Sequence, residues 1–402
     1  MELIEQPYGC FVCDRKSNKF DVFGGSSYDL LKAFALAGCV LPKAVCYLSE
    51  IYDEVDLHTI SGDIERLLSE LTLRGYSFVA TDNFLFSDAE NDMLKPVSID
   101  LELTSNCNLA CSYCCANAGR SFKKHLTLAQ WISILNSFYQ RGARVLTLTG
   151  GEPLLYEGIL DLVEIFNEKY IIELKTNGCF ITTQIAEKLS TFGLKVVQIS
   201  LDSPISEIHD KVRGVGSWQM AYDAIRRLRD FEVPVRLSMV LHKLNMHQIF
   251  EMKTLANSFE CELDIAKVAK VGRGKTFSYT LSDTENEDYR QEYRKEFILG
   301  DLEIYCFSQL GYIAVDQEGR IKPCNMPNTF FELYSHDICT LLSSSDPRQI
   351  DSFMERHTNI FNPFYTGEKI SSTGYSMDNC IINEALRNDQ RLGQEEGGLC
   401  QR

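Results

Sequence analysis

Four cysteines fall within nine residues of the stretch TSNCNLACSYCCANAG: Cys107, Cys111, Cys114 and Cys115. The first three have the spacing C-x3-C-x2-C. Thiolates are soft metal ligands, and a short loop that directs three of them inward can wrap a compact metal centre. Four thiolates close a structural zinc site or a fully ligated iron–sulfur cluster, whereas three leave one coordination position open for a small molecule. The rival readings are zinc and chance burial, and the second nearby C-x2-C that a zinc site usually brings is absent. Cys115 is surplus. Directly after Cys114 it needs an awkward turn to reach the same centre, and it reads as a packed thiol beneath the loop.

The elements around this loop follow from periodicity. From Val97 the chain alternates strands and helices: VSIDLEL, TLAQWISILNSFYQRG, ARVLTLTG, LDLVEIFNEKY, IIELKTNG, QIAEKLSTFG, KVVQISLD, WQMAYDAIRRLRDFE, VPVRLSMVL, MHQIFEMKTLANSF and ECELDIAKV. Six such β-α steps over residues 97–275 predict a parallel sheet with covering helices, a partial or closed α/β barrel. In that architecture the working residues lie at the carboxyl ends of strands, where the cysteines follow the first one. Ahead of it, residues 1–86 read as a small α+β domain of winged-helix type. Two short strands flank the turn DRKSN, a serine-capped helix ends at Gly38, and two more helices follow, the last closed by Gly75. Residues 276–402 are less regular. A hairpin turning at DQEG is evident, with Cys306, Cys324, Cys339, Cys380 and Cys400 spread widely around it.

Composition narrows the function classes. Hydrophobic residues make up 45% and charged residues 24% of 402 residues, which suits two or three globular domains. The net charge of -16 disfavours nucleic acid as a partner, and nothing supports a membrane role. No apolar run approaches the roughly 20 residues needed to span a bilayer, and no signal peptide is visible, so a cytoplasmic location is expected. Fifteen cysteines in a reducing compartment point to metal or redox chemistry rather than a disulfide framework. Cys39, Cys46, Cys179 and Cys261 lie in apolar sequence and are expected to be plain buried thiols.

CNLACSYC resembles the cluster-binding signature of radical S-adenosylmethionine (radical SAM) enzymes, with Tyr113 in the aromatic slot before the last cysteine. LTGGEPLL is similar to their GGEP motif at the end of the second strand. KTNG, ISLD and HDKVRG fall where related enzymes place strand-end residues around the cofactor. The resemblance implies a partial (β/α)6 TIM-type barrel. It also implies a 4Fe-4S cluster on Cys107, Cys111 and Cys114, with the fourth iron open to S-adenosyl-L-methionine. Gly150 and Gly151 would let the backbone approach the bound ligand, and Glu152 would accept from its ammonium. Arg213 would pair with its carboxylate, while Asn177, Ser200 and Asp202 would bind ribose or carboxylate. His209 is expected to be structural. The implied chemistry is one-electron cleavage of the sulfonium to a 5'-deoxyadenosyl radical, which abstracts an unactivated hydrogen. The electron comes from a donor such as flavodoxin or ferredoxin.

The flanks extend the resemblance. Residues 1–86 look like a PqqD-like element that binds leader peptides by strand addition and packing against its third helix. The C-terminal region is similar to the SPASM or twitch extension, which implies an auxiliary iron–sulfur cluster on Cys306, Cys324 and Cys380. It departs from that pattern in lacking the close-set C-x2-C-x5-C run. The whole resembles peptide maturases, sactisynthases included, and implies cross-linking of a ribosomally made precursor peptide, thioether formation first. The rivals are carbon–carbon cross-linking, epimerisation, a radical enzyme on a small molecule, and an iron–sulfur protein without turnover.

Overall fold

The computed structural model describes residues 2–76, 94–120, 124–282, 285, 311–322, 340–341 and 348–365. They fall into two compact units that divide at Val97 and Ser98.

The first unit opens with three antiparallel strands in the order β1 (Glu2–Gln6), β2 (Gly9–Asp14) and β3 (Lys19–Phe23). The last two are the expected hairpin. β1 is additional to the two strands expected, and its Leu3 and Ile4 are buried. Glu5 is held by the hydroxyl of Tyr28 at 2.5 Å and by Lys32 at 2.7 Å. Three helices follow, α1 (Gly25–Leu36), α2 (Leu41–Ile51) and α3 (Leu57–Leu73). Ser26 and Ser27 lie inside α1 instead of capping it, and the cap position is Gly24. α3 is capped by Asp56, whose carboxylate accepts from the amides of His58 and Thr59 at 3.0 Å. Leu3, Val12, Phe23, Leu31, Leu67 and Leu71 share one apolar cluster. Burying each of the larger side chains contributes about 1.5–3 kcal/mol.

The second unit is the expected partial barrel. β4 (Ser98–Glu102), β5 (Val145–Thr149), β6 (Ile171–Thr176), β7 (Val196–Ser200), β8 (Val235–Leu241) and β9 (Glu262–Lys267) lie side by side and parallel. Between them run α4 (Leu128–Gln140), α5 (Ile159–Phe166), α6 (Thr183–Ser190), α7 (Ser206–Arg213), α8 (Ser217–Asp230) and α9 (Ile249–Ser258). α4 starts at a capping box in which Thr127 and Gln130 exchange side-chain and backbone bonds. Strand alternation separates two rows. Ile99, Leu101, Leu148, Leu174, Ile199, Leu237 and Met239 are buried and apolar, and with Trp131, Phe138, Phe166 and Leu228 of the helices they supply the core. The other row is polar: Asp100, Thr147 and Glu173 stand in register, as do Gln198, Arg236 and Glu262. Its charges are paired, Lys175 with Asp100 at 3.5 Å and Arg236 with Glu262 at 2.9 Å.

The DQEG hairpin is present as β10 (Tyr312–Val315) and β11 (Arg320–Lys322), its turn closed by Asp316 accepting from the amides of Glu318 and Arg320 at 3.0 Å. β10 adds parallel to β4, so this part of the C-terminal region extends the barrel sheet. β12 (Thr340–Leu341) follows β11 at the edge, and α10 (Arg348–Tyr365) is tied to the end of α4 by a two-point pair between Arg141 and Asp351. Cys306, Cys324 and Cys380 lie outside the described residues.

Candidate active site

The cysteine loop leaves the carboxyl end of β4 and returns on itself. The Cys107 amide donates to Gly119 O at 2.8 Å, closing the loop at its base. Inside it, Cys114 N donates to Cys111 O and Asn117 N to Cys114 O, both at 3.2 Å. Two loop amides reach sulfur: Leu109 N to Cys107 Sγ and Ala118 N to Cys114 Sγ, each at 3.4 Å. Burial pushes the Cys107 thiol up to about 11, and Cys111 and Cys114 add to the shift. Burial likewise raises Cys111, against the opposing charges of Arg213 and Arg273. A metal ligand must be a thiolate, so a bound positive centre has to overcome this burial cost. Amide donors aimed at sulfur are what a bound thiolate uses. Among the described residues no three Cys, His or acidic side chains converge on one point, as a single ion needs. A multi-iron cluster takes one thiolate per iron. Three soft thiolates, two of them with amides aimed at sulfur, are the donor chemistry that a 4Fe-4S cluster takes. Cys115 is half-buried, its thiol pushed up to about 11 by burial, as expected of a thiol packed under the loop.

The GGEP segment braces this loop. Gly150 (φ +139°) would place a Cβ 2.5 Å from Thr104 O, and Gly151 one 2.3 Å from Asn106 O. The close approach expected toward a ligand is thus made toward the backbone of the cysteine loop. Gly151 N donates to Thr104 O at 2.6 Å and Glu152 N to Asn106 O at 2.8 Å. Glu152 is fully buried. Its carboxylate accepts from Thr176 Oγ1 at 2.7 Å, Asn177 N at 2.9 Å and Leu154 N at 3.1 Å, joining the ends of β5 and β6. Burial nevertheless pushes its carboxyl up to about 7. Asn177 faces the loop, its Nδ2 donating to Asn108 Oδ1 at 2.8 Å and lying 3.9 Å from Cys107 Sγ.

A second group holds the other side. Arg213 grips Asp202 through Nε at 2.7 Å and Nη2 at 2.9 Å, and both are buried. The Tyr113 hydroxyl and Val240 N also donate to Asp202. Burial alone would raise the Asp202 carboxyl, but the Arg213 guanidinium outweighs it and holds the group below the usual carboxylate range. Asp202, expected to touch ribose or carboxylate, is the internal counter-ion of Arg213. Nη1 of Arg213 makes no hydrogen bond among the described residues. The same helix end meets the loop: Ser112 N donates to Val212 O at 2.8 Å, and Cys111 Sγ lies 3.9 Å from Arg213 O. Ser200 ends β7 opposite Ser238, half-buried, and shares no side-chain hydrogen bond with these groups among the described residues. His209 is structural as expected. Its Nδ1 accepts from Asp202 N at 3.1 Å, and burial lowers its pKa to about 4.

Several residues escaped the sequence reading. Asn245 is fully buried and donates to Asp202 O at 2.8 Å and Val240 O at 2.9 Å. Arg273 bonds the cysteine loop at several points. Its only signal was G-x-G spacing just after the sixth barrel strand. Cys179, expected in apolar surroundings, is half-buried with its thiol bonded to Asn108, and Cys46 is exposed.

Residues 101–256 match the Radical SAM superfamily. This segment is a radical SAM domain. A domain of this family catalyses radical chemistry with a 4Fe-4S cluster and S-adenosylmethionine. The chain is 28% identical over 293 residues to the sporulation killing factor maturation protein SkfB of Bacillus subtilis, covering 71% of this chain and 69% of that one. It is 31% identical over 205 residues to the mycofactocin maturase MftC of Mycobacterium tuberculosis, covering 50% of this chain and 52% of that one. The radical SAM fold is shared with Streptococcus suis SuiB bound to S-adenosylmethionine, with a TM-score of 0.61 at 15% identity over 95% of this chain and 92% of that one. No helix among the described residues is long and apolar enough to cross a membrane.

Proposed function

We propose that this radical SAM enzyme modifies a ribosomally synthesised precursor peptide, forming an intrapeptide cross-link, with a thioether of the sactionine type as the leading product. The bound cluster and S-adenosylmethionine would supply hydrogen abstraction. The chain's own part is to hold the three thiolates, orient the cofactor through Asn177 and Nη1 of Arg213, and keep the reacting space closed to water. Maturases among the relatives support a peptide substrate.

The observation that carries the reading is the first unit. Among the described residues β3 is an outer strand of its three-stranded sheet, half-buried along Lys19–Val22, the kind of strand beside which an extended peptide adds. A cavity of about 400 Å³ opens between α1 and α3, floored by Leu30, Leu48, Ile60 and Leu67 and rimmed by Asp63 and Arg66. An edge strand for main-chain bonds and an apolar cavity for a side chain together suit an extended leader peptide. Residues 1–86 are accordingly assigned to leader recognition, 97–275 to the radical reaction and 276–402 to an auxiliary cluster on Cys306, Cys324 and Cys380. Flavodoxin or ferredoxin is the proposed reductant.

The test is anaerobic reaction of the reconstituted protein with dithionite, S-adenosylmethionine and the short peptide encoded beside it. Formation of 5'-deoxyadenosine with loss of two hydrogens from the peptide is expected. An unchanged mass with an inverted centre would replace cross-linking by epimerisation. Full peptide turnover after deletion of residues 1–86 would remove the leader assignment. Iron retained in the Cys107→Ala/Cys111→Ala/Cys114→Ala protein is the expected sign of the auxiliary cluster.

A further inference from the structure

The segment after β9 makes a dense set of bonds to the cysteine loop. Arg273 donates from Nε to Cys111 O at 2.7 Å, from Nη2 to Ala118 O at 2.8 Å and from Nη1 to Asn117 Oδ1 at 3.1 Å. Its backbone amide donates to Cys114 O at 3.0 Å. One residue thus grips the loop from Cys111 to Ala118, across two of its three ligand positions. The loop has little regular structure, so its inward carbonyls need donors from elsewhere. A planar guanidinium presents donors on three nitrogens in a rigid fork and so meets three spread acceptors, whereas an ammonium donates from a single nitrogen.

The flanking glycines make this approach possible. Gly272 sits at φ +54°, and a Cβ there would stand 2.3 Å from Cys115 O and 2.6 Å from Cys114 O. A Cβ on Gly274 would stand 2.0 Å from Ala269 O. Beyond them Phe277 packs edge-on to Tyr113, with ring centroids 5.4 Å apart, so the strap meets the loop again at the aromatic slot.

We infer that Arg273 is a positioning residue for the cluster: it shapes the cysteine loop before iron binds, and it keeps a permanent positive charge beside Cys111 once the cluster is in place. Three thiolates outweigh the positive charge of the iron–sulfur core, and reduction adds one more negative charge. A fixed cation nearby favours the reduced form. The inference rests on Cys107, Cys111 and Cys114 being the cluster ligands.

The test uses the full chain, anaerobically reconstituted, with Arg273→Ala, Arg273→Lys and Gly272→Ala. Arg227→Ala serves as control, since Arg227 donates to Ile181 O away from the loop. Readouts are iron per chain, the rate of iron release to a chelator, and the midpoint potential followed by EPR. Arg273→Ala is expected to release iron at least about tenfold faster and to shift the potential downward, since losing charge-assisted bonds of ~1.5 kcal/mol or more is worth that factor. Arg273→Lys keeps the charge and loses the fork, so it should restore the potential but not the release rate. Gly272→Ala should speed release with the charge intact. Release and potential both unchanged from the Arg227→Ala control would overturn the inference. If Arg273→Ala does not fold, wild-type release from Arg273→Lys overturns the clasp by itself. The two readings fail separately: full iron retention in Cys107→Ala would sink the ligand assignment, whereas failure of the Arg273 test leaves it standing.

Discussion

The edge strand β3 and the strand ends of the barrel both offer polar groups to a ligand, in opposite ways. β3 is an outer strand of its sheet among the described residues, and the charges at the rim of the α1–α3 cavity are exposed: Arg66 and Asp63 form a 2.7 Å pair with side chains 78% and 41% exposed. At the barrel ends the charged groups are sealed. Glu152 and Asp202 have no exposed surface, and each accepts three or more hydrogen bonds from the protein itself. A surface that captures a chain from solution keeps its charged groups exposed to it. A site that handles a reactive species gains from being satisfied beforehand, since its geometry then does not wait on the ligand.

That contrast can be broken at either end. The largest effect is expected from Cys107→Ala, Cys111→Ala or Cys114→Ala, each of which should reduce 5'-deoxyadenosine formation to background. Cys115→Ala should retain the cluster, and the opposite outcome for Cys114 and Cys115 would reassign the third ligand. Next comes Arg213→Met. It strands the buried Asp202 carboxylate and should cost about 3–5 kcal/mol in chemical denaturation. A loss below 1 kcal/mol would mean the pair is not sealed from water.

The pH dependence comes third. The Glu152 carboxyl is raised to about 7 in the folded protein from an unfolded value of 4.5, so the folded state binds its proton more tightly. Its favourable contribution is present below pH 4.5 and is lost as pH rises toward 7, by about 3 kcal/mol in the apoprotein. Glu152→Gln removes that loss, so the stability of the variant minus wild type should climb across this window and be level above it. A flat difference curve would show the carboxylate to be solvated. His209, lowered to about 4, acts with the opposite sign and masks part of the slope in the wild type, which is why the difference curve is the informative quantity.

Gly151→Ala should cost about 1–3 kcal/mol by overpacking, because its Cβ meets backbone that has no side-chain freedom to yield. It should also lower iron content by displacing Asn106. The smallest effect belongs to the open region. Arg66→Glu changes an exposed pair worth less than about 1 kcal/mol, so melting and iron content should stay the same while leader affinity, read by fluorescence anisotropy, weakens a few-fold. A large stability loss there would erase the contrast between the two regions.

Much of the fold was legible because it is written in short periods. The barrel strands and most of its helices repeat hydrophobic residues at spacings of two or three to four, and the DQEG turn announces its hairpin. β1 was not legible, since a five-residue strand with three polar positions resembles a tail until β2 is placed beside it. In the site, the cysteine spacing and the double glycine were visible as motifs. The direction in which the glycines yield space was not, because it depends on Thr104 and Asn106, which reach them only once β4 and β5 are paired.

The residue types and spacing from Cys107 to Cys114 set by themselves which chemistry this loop suits, since three soft thiolates fall within eight consecutive residues. What surrounds that centre was decided only by the tertiary structure. Arg273 lies 162 residues from Cys111, and Asp202 lies 89 from Tyr113. Contacts at such separations leave no local period, and they form only because the parallel sheet gathers the carboxyl ends of its strands on one side.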